Sequence, residues 1–150
     1  MFKKTILTLV CFSFASLSSA GEWHFLGDAG SSSSAIDMRS ITAEGEDIVG
    51  AWMLTVSNNN KKVSHFMSWQ QTNCKKKMLR ADEYIFYSQD GETIKTIKRS
   101  EEWQRVVPDT VGEELYNCMC GDKTVHLVKM PQSEYAKFLR IFLEESKDTK

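Results

Sequence analysis

Residues 1–20 carry the pattern of a secretory signal peptide, which decides what part of the chain folds and in which compartment. Lys3 and Lys4 supply a positive start, residues 6–14 form an apolar middle, and residues 18–20 are small, as at a cleavage site. The apolar run is shorter than the roughly 20 residues that span a bilayer, so no transmembrane span is expected. We therefore expect an exported protein of the Gram-negative envelope, in the periplasm or at the cell surface.

Cys11 offers an alternative end to this signal, as the acylated first residue of a lipoprotein. Thr8 and Val10 stand where such a signal carries leucine and a small residue. Cleavage at Cys11 would also leave a signal shorter than the usual lower limit of about 15 residues. We expect Cys11 to be discarded with the signal, and the mature chain to begin at Gly21.

The mature chain has the composition of one globular domain. Removal of the signal leaves 17 basic and 20 acidic residues, a net charge of -3. Because there is no basic excess to release counterions, nucleic-acid binding is not expected. Two clusters of lysines are candidates for contact with an acidic partner. One consists of Lys61 and Lys62, and the other of Lys75, Lys76 and Lys77. Alternatively, these lysines are solvated residues of loops.

Three cysteines remain after removal of the signal, an odd number in an oxidising compartment. Cys118 and Cys120 are too close in sequence to pair comfortably with each other, so the simplest bridge joins Cys74 to one of them. The bridge to Cys118 would span 44 residues and the bridge to Cys120 would span 46. Either one would stabilise the fold by roughly 3 to 4 kcal/mol. The leftover thiol would allow a disulfide-linked homodimer.

Motifs for catalysis or metal binding are missing from the sequence. There is no Gly-x-Ser-x-Gly, His-Glu-x-x-His, Walker or dinucleotide-binding motif, and Cys118 and Cys120 do not form a Cys-x-x-Cys pair. The histidines at 24, 65 and 126 lie far apart and lack a zinc-type spacing with the cysteines. We expect no enzymatic activity, no metal and no cofactor.

Hydrophobic periodicity predicts an antiparallel sheet. Residues 27–34, rich in glycine and serine, are expected to form a loop. The main strands are predicted at residues 48–56, 63–72, 78–88 and 92–99. In the second of these strands, the row of Val63, His65, Met67 and Trp69 is expected to be buried.

A helix is predicted after Pro108. Asp109 or Thr110 can cap it, and Val111, Leu115 and Met119 form an apolar stripe at i, i+4 and i+8. We expect the helix to end near Cys118 or Cys120.

Two more elements are predicted after this helix. Residues 124–130 fit a strand, and residues 133–145 fit an amphipathic helix. Its apolar stripe, which serves either the core or a dimer contact, contains Tyr135, Phe138, Leu139, Phe142 and Leu143.

The order of several short motifs resembles the surface-adhesin protein E family. The motifs are Trp23, Ile36-Asp37, Ser40-Ile41, Val49-Gly50-Ala51-Trp52 with Leu54, Asn73-Cys74, Arg80, Tyr87-Ser88, Gly91, Trp103, Val106-Val107-Pro108 and Cys120. Together they cover about residues 23–120. The expected organisation is therefore a signal peptide at 1–20, a protein E-like domain at 21–120 and a strand-and-helix extension at 121–150.

This resemblance implies an α+β fold that agrees with the periodicity. The fold is an antiparallel β-sheet of about six strands with a helix fastened to one face by a Cys74–Cys120 disulfide, followed here by the C-terminal amphipathic helix. Cys118 is then the free thiol. The resemblance also implies adhesion to host extracellular-matrix or serum proteins such as vitronectin, laminin and plasminogen. The alternative is a periplasmic envelope protein that uses the same fold as a scaffold.

Overall fold

The computed structural model describes residues 21–57, 62–121 and 128–130. Six of its strands have six or more residues and three have two, and they form one antiparallel sheet. The strands are β1 (Trp23–Ala29), β2 (Ser32–Asp37), β3 (Thr42–Ala43), β4 (Ile48–Ser57), β5 (His65–Asn73), β6 (Met78–Tyr87), β7 (Thr93–Lys98), β8 (Gln104–Arg105) and β9 (Val128–Lys129). Their order across the sheet is β7-β6-β5-β4-β2-β1-β9, with β3 beside β4 and β8 beside β6.

The α-helix of the described residues, α1 (Val111–Cys120), begins and ends at residues whose chemistry explains its bounds. The Thr110 side chain accepts a hydrogen bond from the backbone N–H of Glu113 at 3.4 Å. Such a cap satisfies one of the backbone donors that a helix start leaves without a partner. Gly121 ends the helix in the left-handed region, with φ of 92°, where glycine is not strained. The predicted helix is therefore confirmed, with Thr110 as its cap.

The apolar stripe of α1 packs on one face of the sheet. Leu115 and Met119 are buried there against a cluster that includes Leu26, Ile36 and Ala51. A disulfide joins Cys74, just after β5, to the last residue of α1, with the two Cα atoms 5.5 Å apart. This is the pairing implied by the family resemblance. It confirms the expected antiparallel sheet with a disulfide-fastened helix.

Three predicted segments lie wholly or partly outside the described residues. The signal peptide at 1–20 and the amphipathic helix at 133–145 lie wholly outside. Of the strand predicted at 124–130, residues 124–127 lie outside, whereas Val128–Lys129 pairs with β1 as β9.

The loop predicted at residues 27–34 is wrong, because most of this stretch belongs to β1 and β2. Ser33 and Ser34 are buried in the sheet. The Ser33 hydroxyl donates to an Asp28 carboxylate oxygen, and the Ser34 hydroxyl lies 3.1 Å from that of Thr55. Buried hydroxyls are tolerated when they have hydrogen-bond partners, so a serine run does not by itself indicate a solvated loop.

The inner row predicted for β5 is also wrong. Ser68 and Thr72 are fully buried on the side that faces α1, whereas Met67 and Trp69 lie on the other side and are only partly buried. The Thr72 hydroxyl donates to the Met119 sulfur at 3.2 Å. The buried polar groups of this row have hydrogen-bond partners, so their polarity does not indicate which face of β5 the helix covers.

Removal of the bridge is expected to destabilise the protein strongly. The double variant Cys74→Ser/Cys120→Ser should lose about 4 kcal/mol of unfolding free energy in the chain-entropy model, since the bridge has a sequence separation of 46. Urea unfolding followed by tryptophan fluorescence measures this loss. Cys118→Ser is the matched control, because it removes a thiol and leaves the bridge intact. A double variant as stable as the control would contradict the prediction.

Candidate partner-binding surface

A cleft opens on the helix-bearing face of the sheet, because α1 covers only part of that face. Ten residues of α-helix are about 15 Å long. The cleft beside its first turns has a volume of about 450 Å³. Val111 and Leu115 form one wall, Val106 and Val107 form another, and strands β2, β4, β5 and β6 form the floor. It is therefore a groove with apolar walls.

Polar side chains in and beside the floor of the cleft are hydrogen-bonded in pairs. Ser34 and Thr55 pair through their hydroxyls at 3.1 Å, and the side-chain amide of Gln70 donates to the Ser68 hydroxyl at 2.9 Å. All four side chains are buried. These groups therefore meet one another's hydrogen-bonding needs without a ligand, so they indicate a stable floor rather than a reactive centre.

Aromatic side chains continue the cleft toward β7. Phe66, Tyr84 and Phe86 lie with ring centroids 5.6 to 6.2 Å apart. Tyr84 donates a 2.8 Å hydrogen bond to the Glu101 carboxylate. Burial, followed by this hydrogen bond, raises the pKa of Tyr84 well above its usual value. At neutral pH the cleft therefore presents an aromatic surface with a neutral phenol beside a carboxylate.

The turn between β5 and β6 presents the basic cluster predicted at residues 75–77. Its three lysines are exposed, and the backbone N–H of Lys76 donates to the Asn73 side chain at 2.9 Å. Lys77 has φ of 52°, in the left-handed region. Lys75 approaches Asp47 at 3.8 Å, although its side chain is 77% exposed. An ion pair this long and solvated contributes little, so the Lys75 ammonium is available to a partner.

Arg105 connects the basic turn to the cleft. Together with Val106 it lines both the cleft and an open depression beside Lys75, Lys76 and Lys77. The three lysines and Arg105 therefore border a continuous surface, which we call the basic cleft surface. Sequence reasoning missed Arg105, because nothing in the sequence shows that β8 pairs with β6 next to this turn.

The other predicted cluster does not join this surface. Lys62 is exposed and precedes β5, whereas residues 75–77 follow it. The nine residues of β5 span roughly 30 Å. Lys61 lies outside the described residues. Lys62 and the lysines at 75–77 are therefore at opposite ends of β5 and could contact one partner together only over a long surface.

Cys118 is the free thiol of the described residues. It is partly buried, and its sulfur lies 3.3 Å from that of Met38. Burial, assisted by the nearby Glu114 carboxylate, raises the pKa of Cys118 to about 11. At neutral pH the thiol is almost entirely protonated, so it is a poor nucleophile for disulfide exchange.

The two histidines of the described residues, His24 and His65, each contact a neighbouring side chain. His65 stacks on Tyr87 with centroids 4.6 Å apart, and His24 lies 3.4 Å from the Glu22 carboxylate. His126 lies outside the described residues. Within residues 21–57, 62–121 and 128–130, no group of three or more His, Cys, Asp or Glu side chains is placed to hold a metal ion. In that same part of the chain, no helix is both long enough and apolar enough to cross a membrane.

Alkylation should detect the protection of Cys118. In the native protein at pH 8, we expect iodoacetamide to label this thiol at least 10-fold more slowly than in urea, because burial and a raised pKa both reduce the reactive thiolate. Mass spectrometry measures the rate of labelling.

Non-reducing electrophoresis of protein from cells tests whether a disulfide-linked homodimer forms, with Cys118→Ser as the control. Labelling of the native protein as fast as in urea would contradict the expected protection of Cys118. A dimer band that disappears in the Cys118→Ser variant would also contradict it.

Comparison with known proteins places this structure in a family. No curated protein and no solved structure matches the chain. The family model described as surface-adhesin protein E matches residues 23–121, about two thirds of the chain. The match spans β1 to the end of α1 and includes both bridged cysteines. The chain therefore belongs to the surface-adhesin protein E family.

Proposed function

We propose that the protein is an exported, non-enzymatic adhesin of the bacterial envelope that binds an acidic region of a host extracellular-matrix or serum protein. The observation that carries this proposal is the family match over residues 23–121. Export is supported by the signal-peptide pattern of residues 1–20. Vitronectin, laminin and plasminogen are the first partners to test.

The basic cleft surface is the region proposed to bind the partner. The lysines at 75–77 and Arg105 concentrate positive charge on a chain that carries a net negative charge. Such a patch attracts an acidic segment over about one Debye length, which is about 8 Å at physiological salt. The adjoining apolar walls of the cleft, including Val106, Val107 and Val111, would bury a hydrophobic side chain next to that segment.

The alternative function is that of a periplasmic envelope protein with an unrelated task. The same sheet and helix would then serve as a scaffold, since a fold does not determine a function. Family membership supports a surface or envelope location. The location of the mature domain and its binding to host proteins separate the two functions.

Neutralising the basic turn should weaken partner binding. The variant Lys75→Ala/Lys76→Ala/Lys77→Asn removes three charges, and asparagine is chosen for Lys77 because it tolerates the left-handed backbone there. We expect the dissociation constant for immobilised vitronectin, laminin or plasminogen to rise about 10-fold, with a smaller dependence on salt. Surface plasmon resonance at 50 and 300 mM NaCl measures both.

The matched control for this variant removes the same charge elsewhere. Lys95→Ala/Lys98→Ala/Lys129→Ala alters three exposed lysines on β7 and β9. We expect the control to bind within twofold of the unmodified protein. Equal binding by the two variants and the unmodified protein would show that the basic turn does not contact the partner.

Protease shaving of intact cells should distinguish the surface adhesin from the periplasmic alternative. For the adhesin we expect an external protease to remove the mature domain, detected with an antibody against the C-terminal peptide. A known periplasmic protein in the same cells is the control for envelope integrity. Protection that persists until the outer membrane is permeabilised would place the domain in the periplasm and would contradict surface adhesion.

A further inference from the structure

We propose that a depression on the sheet face opposite α1 binds one ring of a neutral carbohydrate. Its volume of about 320 Å³ is at the lower end of the range for small-molecule sites, about 300 to 1,000 Å³. We call it the indole depression, and its lining consists of Trp69, Asp82, Glu83, Lys98, Arg99 and Ser100. It shares no lining residue with the basic cleft surface, and the proposal does not rest on the proposed function.

One row across three strands places an indole, a carboxylate and an ammonium side by side. Trp69 on β5 lies opposite Glu83 on β6, and Glu83 lies opposite Lys98 on β7. Side chains that are directly opposite in antiparallel strands share a face of the sheet. Ser68, which precedes Trp69, is buried on the face that carries α1. Since successive side chains alternate, the row therefore lies on the opposite face.

A β-bulge in β6 adds a second carboxylate to this row. Trp69 pairs with Glu83 and the next residue, Gln70, pairs with Ala81, so Asp82 is the extra residue on β6. Consecutive residues of a regular strand point to opposite faces. A bulge interrupts this alternation and changes the direction of a side chain. The result is that both Asp82 and Glu83 line the indole depression.

The Trp69 ring is held in place before any ligand arrives. Its indole N–H donates to the Glu44 carboxylate at 2.9 Å, and the ring meets Trp52 edge-on with centroids 5.3 Å apart. Gly50 leaves room for this arrangement, because a Cβ atom there would lie 2.5 Å from the Trp69 ring. The ring is partly exposed. The negative face of such a ring attracts the weakly positive C–H groups of a sugar, and a fixed ring loses little entropy on binding.

The Asp82 carboxylate retains unused capacity to accept hydrogen bonds. Its Oδ1 atom is screened from solvent and accepts no hydrogen bond from the residues that the structure describes. The Arg80 Nε atom is 3.9 Å away, which is too far for a hydrogen bond, and the Asp82 side chain as a whole is 28% exposed. Screened acceptors without partners are rare in folded proteins. A ligand with hydroxyl donors would satisfy this carboxylate after a small rotation of the side chain.

The charges of the indole depression favour a neutral ligand. Asp82 and Glu83 are balanced by Lys98 and Arg99, and the Lys98 ammonium lies 3.6 Å from the Glu83 carboxylate. A balanced set of charges gives no net attraction to an acidic or a basic ligand, yet it supplies both acceptors and N–H donors. A neutral sugar ring has hydroxyls that donate and accept, and C–H groups that pack on an indole. This combination of groups identifies the ligand class.

An NMR titration of the mature protein with lactose, maltose and cellobiose tests the proposal. The ¹⁵N-labelled protein is titrated with each disaccharide up to 50 mM, and the Trp69 indole N–H signal is assigned with Trp69→Phe. We expect at least one disaccharide to shift this signal saturably, with a dissociation constant of about 1 mM, as is typical of a shallow contact with one ring. If no disaccharide shifts it saturably, the proposal is overturned.

Asp82→Ala is the test variant, and Asp90→Ala is the matched control because it removes an exposed carboxylate from the turn between β6 and β7. We expect the dissociation constant to rise at least 10-fold for Asp82→Ala and to change less than twofold for Asp90→Ala. Equal affinity of both variants and the unmodified protein would overturn the proposal. If Asp82→Ala does not fold, the backbone amides of Glu83 and Lys98 in the unmodified protein decide. They are expected to shift together with the Trp69 signal, and unshifted amides would overturn the proposal.

The variant Lys75→Ala/Lys76→Ala/Lys77→Asn separates this site from the proposed adhesin surface. We expect it to bind the disaccharide within twofold of the unmodified protein, because the basic turn lines a different surface. A loss of disaccharide binding in this variant would place the sugar on the basic cleft surface and overturn the proposal. Failure of the unmodified protein to bind a host protein would leave the titration result unchanged.

Discussion

The Cys74–Cys120 bridge is the constraint on which the arrangement of the helix and the sheet depends. Ten residues of helix are marginal alone, and α1 is stabilised by its cap, by the buried side chains of Leu115 and Met119 and by this covalent link. The bridge joins the C-terminal end of α1 to the end of β5. The N-terminal half of α1 then lies beside a part of the sheet that it does not cover, and the cleft forms there.

The two faces of the sheet have different roles in this arrangement. The helix-bearing face combines a closely packed region under Leu115 and Met119 with a groove next to the basic turn. The face opposite α1 carries a core cluster of Trp23, Ala35, Leu54, Val56 and Met130. The region proposed to bind a partner is the basic cleft surface, where positive charge and apolar walls lie side by side.

Local features were predictable from particular residues. Pro108 and the candidate caps Asp109 and Thr110 indicated where α1 begins, and the stripe of Val111, Leu115 and Met119 identified the side that packs. The spacing of the cysteines restricted the bridge to two pairings but did not choose between them. Cys118 and Cys120 are two residues apart, about 200° around a helix, so they point in nearly opposite directions. Cys120 meets Cys74, whereas Cys118 contacts Met38.

The sequence by itself determined much of the strand periodicity, the helix and its two candidate caps, the three cysteines that follow the predicted signal, and the absence of recognisable catalytic motifs. These features depend on residues close together in the chain or on composition alone. Only the tertiary structure decided that Ser68 and Thr72 form the inner row of β5, that Arg105 joins the lysines at 75–77, and that Lys62 lies far from them. The physical reason is that alternation distinguishes two faces without saying which one a helix will cover. That choice depends on strand order, register and side-chain volume across contacts between distant residues.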